Sequence, residues 1–259
     1  MDFARDDEPI GLRRIVVVFA AMLAVLLEMI DTSIVNVALP SMMGNLGATL
    51  DEADWIITGY IVSNVIIIPM TGWLSGRFGR KRYFTFSILL FTFASVLCGL
   101  STSITQLVVW RIVQGLGGGA LISTSQAILV ESFPVKRQGA AEALFGIGAM
   151  IGPALGPTLG GWITDEYTWP WIFFINLPLG LLAAALCGTY LHDPAHLRGR
   201  RGIPVDWPGI VLLVVAVGSL QTVLEMGHKN NWFESPRIVV LALLAGFGSI
   251  AFVWRELSG

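Results

Sequence analysis

The stretch QLVVWRIVQGLGGGALISTSQAILV, residues 106–130, carries a single charge, Arg111. A helix crosses hydrocarbon with about 20 mostly apolar residues, so this run reads as a membrane span. Arg111 then lies inside it, where no water receives a guanidinium. A charge at that depth costs several kcal/mol unless something answers it, which makes Arg111 a candidate functional residue. The first apolar run strands Glu28 and Asp31 in the same way.

The rest of the chain agrees with a membrane reading. Hydrophobic residues make up 54% of 259, charged residues 13%, and the mean hydropathy is +0.72. Eight stretches are long and apolar enough to span: near 15–39, 55–74, 83–100, 106–130, 139–163, 171–191, 207–224 and 238–253. Their length suits helices and excludes a membrane β-barrel, whose strands need only about 10 residues. The expected fold class is an all-α membrane protein.

Charge sorts the loops. With the N-terminus placed in the cytoplasm, 13 of the 16 Lys and Arg residues fall on the cytoplasmic side, among them Arg5, Arg13, Arg14, Arg77, Arg80, Lys81, Arg82, Lys136, Arg137, Arg198, Arg200, Arg201 and Arg255. Lys229 and Arg237 alone fall outside, and Arg111 lies within the membrane. This is the positive-inside pattern, and an even span count puts both termini in the cytoplasm. The first run is too long and too acidic for a cleaved signal peptide. Cys98 and Cys187 fall in apolar spans and read as small packing residues.

Short loops join the first six spans, so residues 1–191 read as one bundle. A basic, Pro/Gly-punctuated linker follows at 192–206, then two further spans in 207–259. His192 and His196 flank Pro194, which argues against one metal-binding helix face; no metal site or cofactor is expected. No phosphate loop and no nucleophile–base pair is visible, so the chain does not read as an enzyme. Gly117–Gly119 follows no strand and is not a nucleotide fingerprint. Nothing points to nucleic acid.

At 1.5 Å per residue, Asp31 lies about 12 Å from the outer end of the first span and Arg111 about 8 Å from that of the fourth. Acid and base at similar depth on two helices can pair. Pairing favours the ionised carboxylate and burial the neutral one, so such an acid can exchange a proton as its surroundings change. Glu28, one turn deeper on the same face, supports that use over a fixed structural ion pair, the plainer alternative.

Two glycine-rich segments add to this. Gly72–Arg82 reads as a tight basic turn between spans two and three, where Gly72, Arg77, Gly79 and Arg80 are more specific than a charge bias needs. Lys81 and Arg82 read as ordinary positive-inside charges. The fifth span sets Gly148, Gly152, Gly156 and Gly160 at intervals of four, beside Pro153 and Pro157. The stripe permits close helix approach. The prolines add a helix shaped for conformational change or sealing, beyond packing alone.

These segments together resemble the major facilitator superfamily, in particular its fourteen-helix drug:proton antiporters of the EmrB/QacA type. Leu27–Pro40 is similar to that group's helix-one motif, Gly72–Arg82 to the superfamily's loop between helices two and three, and Arg111–Gly117 to the helix-four motif. Gly148–Gly161 is similar to the antiporter motif, and Trp169–Gly180 to helix six of the fourteen-helix group.

The resemblance implies a six-helix N-terminal bundle followed by two linker helices, with proton-coupled efflux of lipophilic small molecules. It implies proton-coupling roles for Asp31 and Arg111, a conformational latch at Gly72, Arg77, Gly79 and Arg80, and antiporter-motif roles for Gly152 and Pro153. It further implies a bacterial inner-membrane setting in contact with lipid, a second six-helix half, and a periplasmic adaptor as partner. Gly76 stands where the loop motif usually has aspartate, so Glu131 or Glu142 is expected to supply the acid. Transport of a sugar, siderophore or other metabolite is the alternative within the same class. A non-transporting half-length subunit that needs a partner chain is the alternative outside it.

Overall fold

The computed structural model describes residues 11–193 and 206–258. The expectations resting on Arg5, on His196, Arg198, Arg200 and Arg201, and on most of the basic linker lie outside these residues. Among the described residues every regular element is a helix. The α-helices are α1 (Leu12–Leu46), α2 (Leu50–Phe78), α3 (Arg80–Gly99), α4 (Ile104–Glu131), α5 (Gln138–Glu166), α6 (Trp171–Phe174), α7 (Asn176–Tyr190), α8 (Trp207–Met226) and α9 (Pro236–Ser258). Eight candidate spans result, the sixth formed by α6 and α7 together.

Local chemistry sets the ends. Gly47 closes α1 in the left-handed conformation, φ 62°, which costs glycine little. Thr49 and Glu52 then form a reciprocal capping box that starts α2. Ser103 caps α4, and Asp206 caps α8 by accepting from the Gly209 amide. The Arg255 guanidinium and that amide hold the Asp206 carboxyl below the usual carboxylate range.

Two expected boundaries are corrected. The first span does not stop near Leu39: α1 runs through Pro40 to Leu46, because one proline removes a single backbone donor and its ring is exposed, so the helix is not ended there. The segment 72–82 is not a loop of that length. α2 continues to Phe78 and α3 begins at Arg80, so Gly79 alone, at φ 87°, makes the turn. Gly72 and Gly76 are helical.

Helix α4 is the centre of the bundle, in contact with α1, α2 and α3. Its glycines make this possible. A Cβ on Gly115 or Gly119 would clash with the α2 carbonyls of Tyr60 or Asn64, and one on Gly117 would stand 2.8 Å from the Ser87 carbonyl of α3. On the other side, α5 lies along α1 through the stripe of Gly148, Gly152, Gly156 and Gly160, which meets Met22, Met29, Ser33 and Ile34. Pro157 has no amide to offer the Pro153 carbonyl, and the Ser33 hydroxyl donates to that oxygen at 3.4 Å. Both prolines are themselves exposed.

The last two spans form a hairpin on the flank of α2. Gly248 of α9 meets Ala216 of α8, and Gly218 of α8 meets Ile66 of α2. Lys229, between α8 and α9, reaches Asp54 of α2 at 2.5 Å, and at the opposite end Arg255 reaches Asp206 at 2.6 Å.

Close approach through glycine should be costly to disturb only where a neighbour stands. Gly152→Val is expected to lower stability by about 1–3 kcal/mol through overpacking, whereas Gly161→Ala, with nothing within 4 Å, should leave it unchanged. Thermal unfolding in detergent, read by helical circular dichroism, checks the pair.

Candidate functional site

The site lies where α1, α2, α3, α4 and α7 converge, and it starts from two helical spacings. Glu28 and Asp31 stand one turn apart on α1, and Arg111 and Gln114 one turn apart on α4. Asp31 is fully buried and Arg111 is 1% exposed. Arg111 Nη1 donates to Asp31 Oδ2 at 2.6 Å and to Gln114 Oε1 at 2.7 Å, while its Nε donates to the Ile56 carbonyl at 3.3 Å. The Tyr60 ring lies against the guanidinium, 4.0 Å from its carbon, a cation–π contact strengthened by the burial of both groups.

The second Asp31 oxygen is held equally firmly. Oδ1 accepts from Gln114 Nε2 at 2.8 Å and from Asn176 Nδ2 at 2.9 Å. Asn176 also donates to Ser95 Oγ at 3.0 Å, whose hydroxyl donates to the Phe173 carbonyl at 2.9 Å. Five helices thus meet on one carboxylate directly or through one intermediate.

Glu28 is arranged differently. Its Oε1 accepts from Asn64 Nδ2 at 2.9 Å and from the Tyr60 hydroxyl at 3.2 Å, but its buried Oε2 has no hydrogen-bond partner among the described residues. Gly118 makes room for this cradle: a Cβ there would lie 2.7 Å from the Tyr60 hydroxyl oxygen and 3.0 Å from Asn64 Nδ2. The unmatched oxygen faces no donor, which is where a carboxyl group carries a proton when it has one.

The structure therefore brings Asp31, Arg111 and Glu28 into one site, joined through Tyr60. It places the two glycine-rich segments elsewhere. At the turn, Arg80 makes a bidentate pair with Glu131, Nη1 to Oε2 at 2.5 Å and Nη2 to Oε1 at 2.9 Å. Glu142 instead accepts from Gln126 at 3.2 Å. A Cβ on Gly79 would stand 2.6 Å from Asp193 Oδ2, whose carboxylate also accepts from the Lys81 amide at 2.8 Å. Gly72 is exposed with nothing within 4 Å of an added Cβ, and Arg77 lies on the last turn of α2.

Tyr60, Asn64 and Ser95 were not singled out from the sequence. A polar amide such as Asn64 in an apolar span is itself a signal, since it must find a partner. No group of three metal-ligating side chains occurs among the described residues.

Eight helices long and apolar enough to cross a membrane, five of them converging on a buried carboxylate–guanidinium pair, define a polytopic membrane protein. The chain belongs to the Major Facilitator Superfamily, whose sequence profile matches residues 21–257. It is 40% identical, over 94% of its length, to the "Multidrug export protein EmrB" of Haemophilus influenzae, covering 48% of that protein. It is 40% identical to the "Fatty acid resistance protein FarB" of Neisseria gonorrhoeae over 86% of this chain and 44% of that one. The chain thus spans about half the length of these curated relatives. Among solved structures, the proton:xylose symporter XylE superposes with a TM-score of 0.64 at 18% identity, over 84% of this chain and 54% of that one. That likeness concerns the fold.

Because each charge of the pair satisfies the other, removing one alone should be worse than neutralising both. Arg111→Met is expected to cost about 3–5 kcal/mol, and the double variant Asp31→Asn/Arg111→Gln to recover most of it. Denaturant unfolding of the detergent-solubilised protein would detect the difference; equal losses would show that the pair is not coupled.

Proposed function

We propose that this chain forms the first half of a proton-coupled exporter of lipophilic small molecules, with Asp31 as the proton-coupling acid. The observation that carries the reading is the buried Asp31–Arg111 pair set beside a second acid, Glu28, with one unmatched oxygen. Family membership and the export names of the relatives support the transport class and the direction.

Residues 1–191 form the transport half, 192–206 a cytoplasmic linker, and 207–259 an added helix pair. The protein resides in a bacterial inner membrane with both termini cytoplasmic, as the sorting of Lys and Arg suggests. A second six-helix bundle completes the central path, and a periplasmic adaptor is a further partner. Gly72, Arg77, Gly79 and Arg80 act as a latch at the cytoplasmic end, with Glu131 as the acid that Arg80 holds. The stripe of Gly148, Gly152, Gly156 and Gly160 seals α5 against α1, while Pro153 and Pro157 shape the face turned toward the second bundle.

In the mechanism, a proton binds Asp31 and forms an O–H bond at Oδ2. The neutral acid no longer balances Arg111, whose guanidinium keeps Gln114, the Ile56 carbonyl and the Tyr60 ring as partners. The junction of α1 with α4 loosens, and one half can rock against the other around the midplane. Glu28 Oε2 offers a waiting position for the proton one turn away. Return of the proton to water restores the pair and resets the bundle.

In proteoliposomes of the complete two-bundle transporter, Asp31→Asn should abolish efflux of a fluorescent dye driven by a pH gradient while elution on size exclusion stays unchanged. Coupling at the unmodified level in that variant would overturn the assignment. Glu28→Gln should slow efflux and flatten its dependence on pH without abolishing it. Counterflow of dye in the absence of a gradient separates lost coupling from lost binding.

A further inference from the structure

The Gly79 turn creates a second feature, on the lipid side of the proposed latch. Helices α2 and α3 meet there, and each packs extensively on α4 but little on the other. They diverge from the turn and leave a cleft of about 620 Å³ between them, floored by Leu116 of α4. Its walls are apolar, with Phe78 and Phe86 more than half exposed toward the bilayer side. The hydroxyls in the wall are already spent: Ser87 donates to the Tyr83 carbonyl, and the Tyr83 hydroxyl pairs with that of Thr71. The charged residues lining the cleft are Arg77 and Arg82, both beside the apex and both positive. Arg82 is exposed and makes no ion pair among the described residues; Arg77 takes part in other contacts.

We propose that this cleft binds an anionic phospholipid, its phosphate against Arg82 with Arg77 in support and one acyl chain lying along Phe86, Leu90 and Leu116. Three features favour that occupant. The cleft opens between spans, where lipid chains are the available solvent. Its polarity is that of an amphiphile, cationic at one end and hydrocarbon along the rest. The positive end is the end at which the bundle gathers its arginines, the side of the membrane where anionic headgroups concentrate if the proposed orientation holds. An organic cation is disfavoured by both arginines, and a covering helix would have to bring an acid for Arg82.

Native mass spectrometry of the intact protein, delipidated in detergent and offered phosphatidylglycerol and phosphatidylcholine of equal chain length, tests the site without depending on orientation or transport. The expected result is preferential retention of phosphatidylglycerol. It should be weakened roughly fivefold by Arg82→Gln, the loss expected for one arginine near an anionic headgroup. Leu116→Trp, which fills the cleft and leaves both charges, should remove the adduct as well, with helical circular dichroism unchanged in both variants. Equal retention of the two lipids, an Arg82→Gln protein that keeps its adduct, or displacement by inorganic phosphate or oleate alone would each overturn the proposal. So would dimerisation through the cleft, seen as a doubled mass that Leu116→Trp abolishes.

Discussion

A guanidinium surrounded by hydrocarbon must be matched inside the protein, and Arg111 imposes that demand on every neighbouring helix. Its charge is met by Asp31, two further donors by Gln114 and the Ile56 carbonyl, and its face by Tyr60. Asp31 in turn must fill its own lone pairs, and recruits Asn176 from the sixth span. The glycines of α4 follow from the same demand. Only a helix without side chains along two of its faces can lie close enough to α2 and α3 to place Arg111 at the point where α1 also arrives. Polar satisfaction and backbone proximity are therefore one constraint here, expressed once in charge and once in missing Cβ atoms.

Such an arrangement holds the bundle together and is also easily switched. A buried ion pair is weak evidence for net stability, since desolvation offsets much of the attraction. Its energy depends on both members remaining charged, and one of them is a carboxylate that a single proton neutralises. Glu28 lies in the same interior but has only one of its oxygens matched. Two acids one turn apart, one fully satisfied and one half satisfied, provide unequal positions for a shared proton. The glycine stripe of α5 is different in kind: it carries no charge and meets α1 through Met22, Met29, Ser33 and Ile34, none of which ionises.

The sequence made the main elements legible because membrane spans obey a strict rule of length and polarity. All eight spans, the burial of Glu28, Asp31 and Arg111, and their common depth could be read from apolar runs and helical rise. The ends of the helices could not. The apolar run thins near Leu39, yet α1 continues through Pro40 because a helix tolerates one absent donor, and Gly72 read as part of a turn because glycine alone does not distinguish a turn from a helix. Tyr60 and Asn64 escaped notice because their role depends on which face of α2 meets α1, which is a property of packing and not of spacing along the chain. The pairing of Arg80 with Glu131 rather than a pairing with Glu142 was likewise a choice among acids that only the tertiary arrangement makes.

The separation of Asp31 and Arg111 along the chain bears on how the molecule comes to be built. A span carrying an arginine enters a bilayer at a penalty that reaches about 2.5–3.5 kcal/mol at the helix centre on the biological insertion scale. The carboxylate that offsets it lies 80 residues earlier, on α1, which a ribosome delivers before α4. When the fourth span emerges, its counter-charge is therefore already in the membrane, and Asn176, which completes the shell, arrives last. The polarity of synthesis and the polarity of the site run in the same direction, so biogenesis never has to leave the arginine waiting in lipid for an acid that has not yet been made.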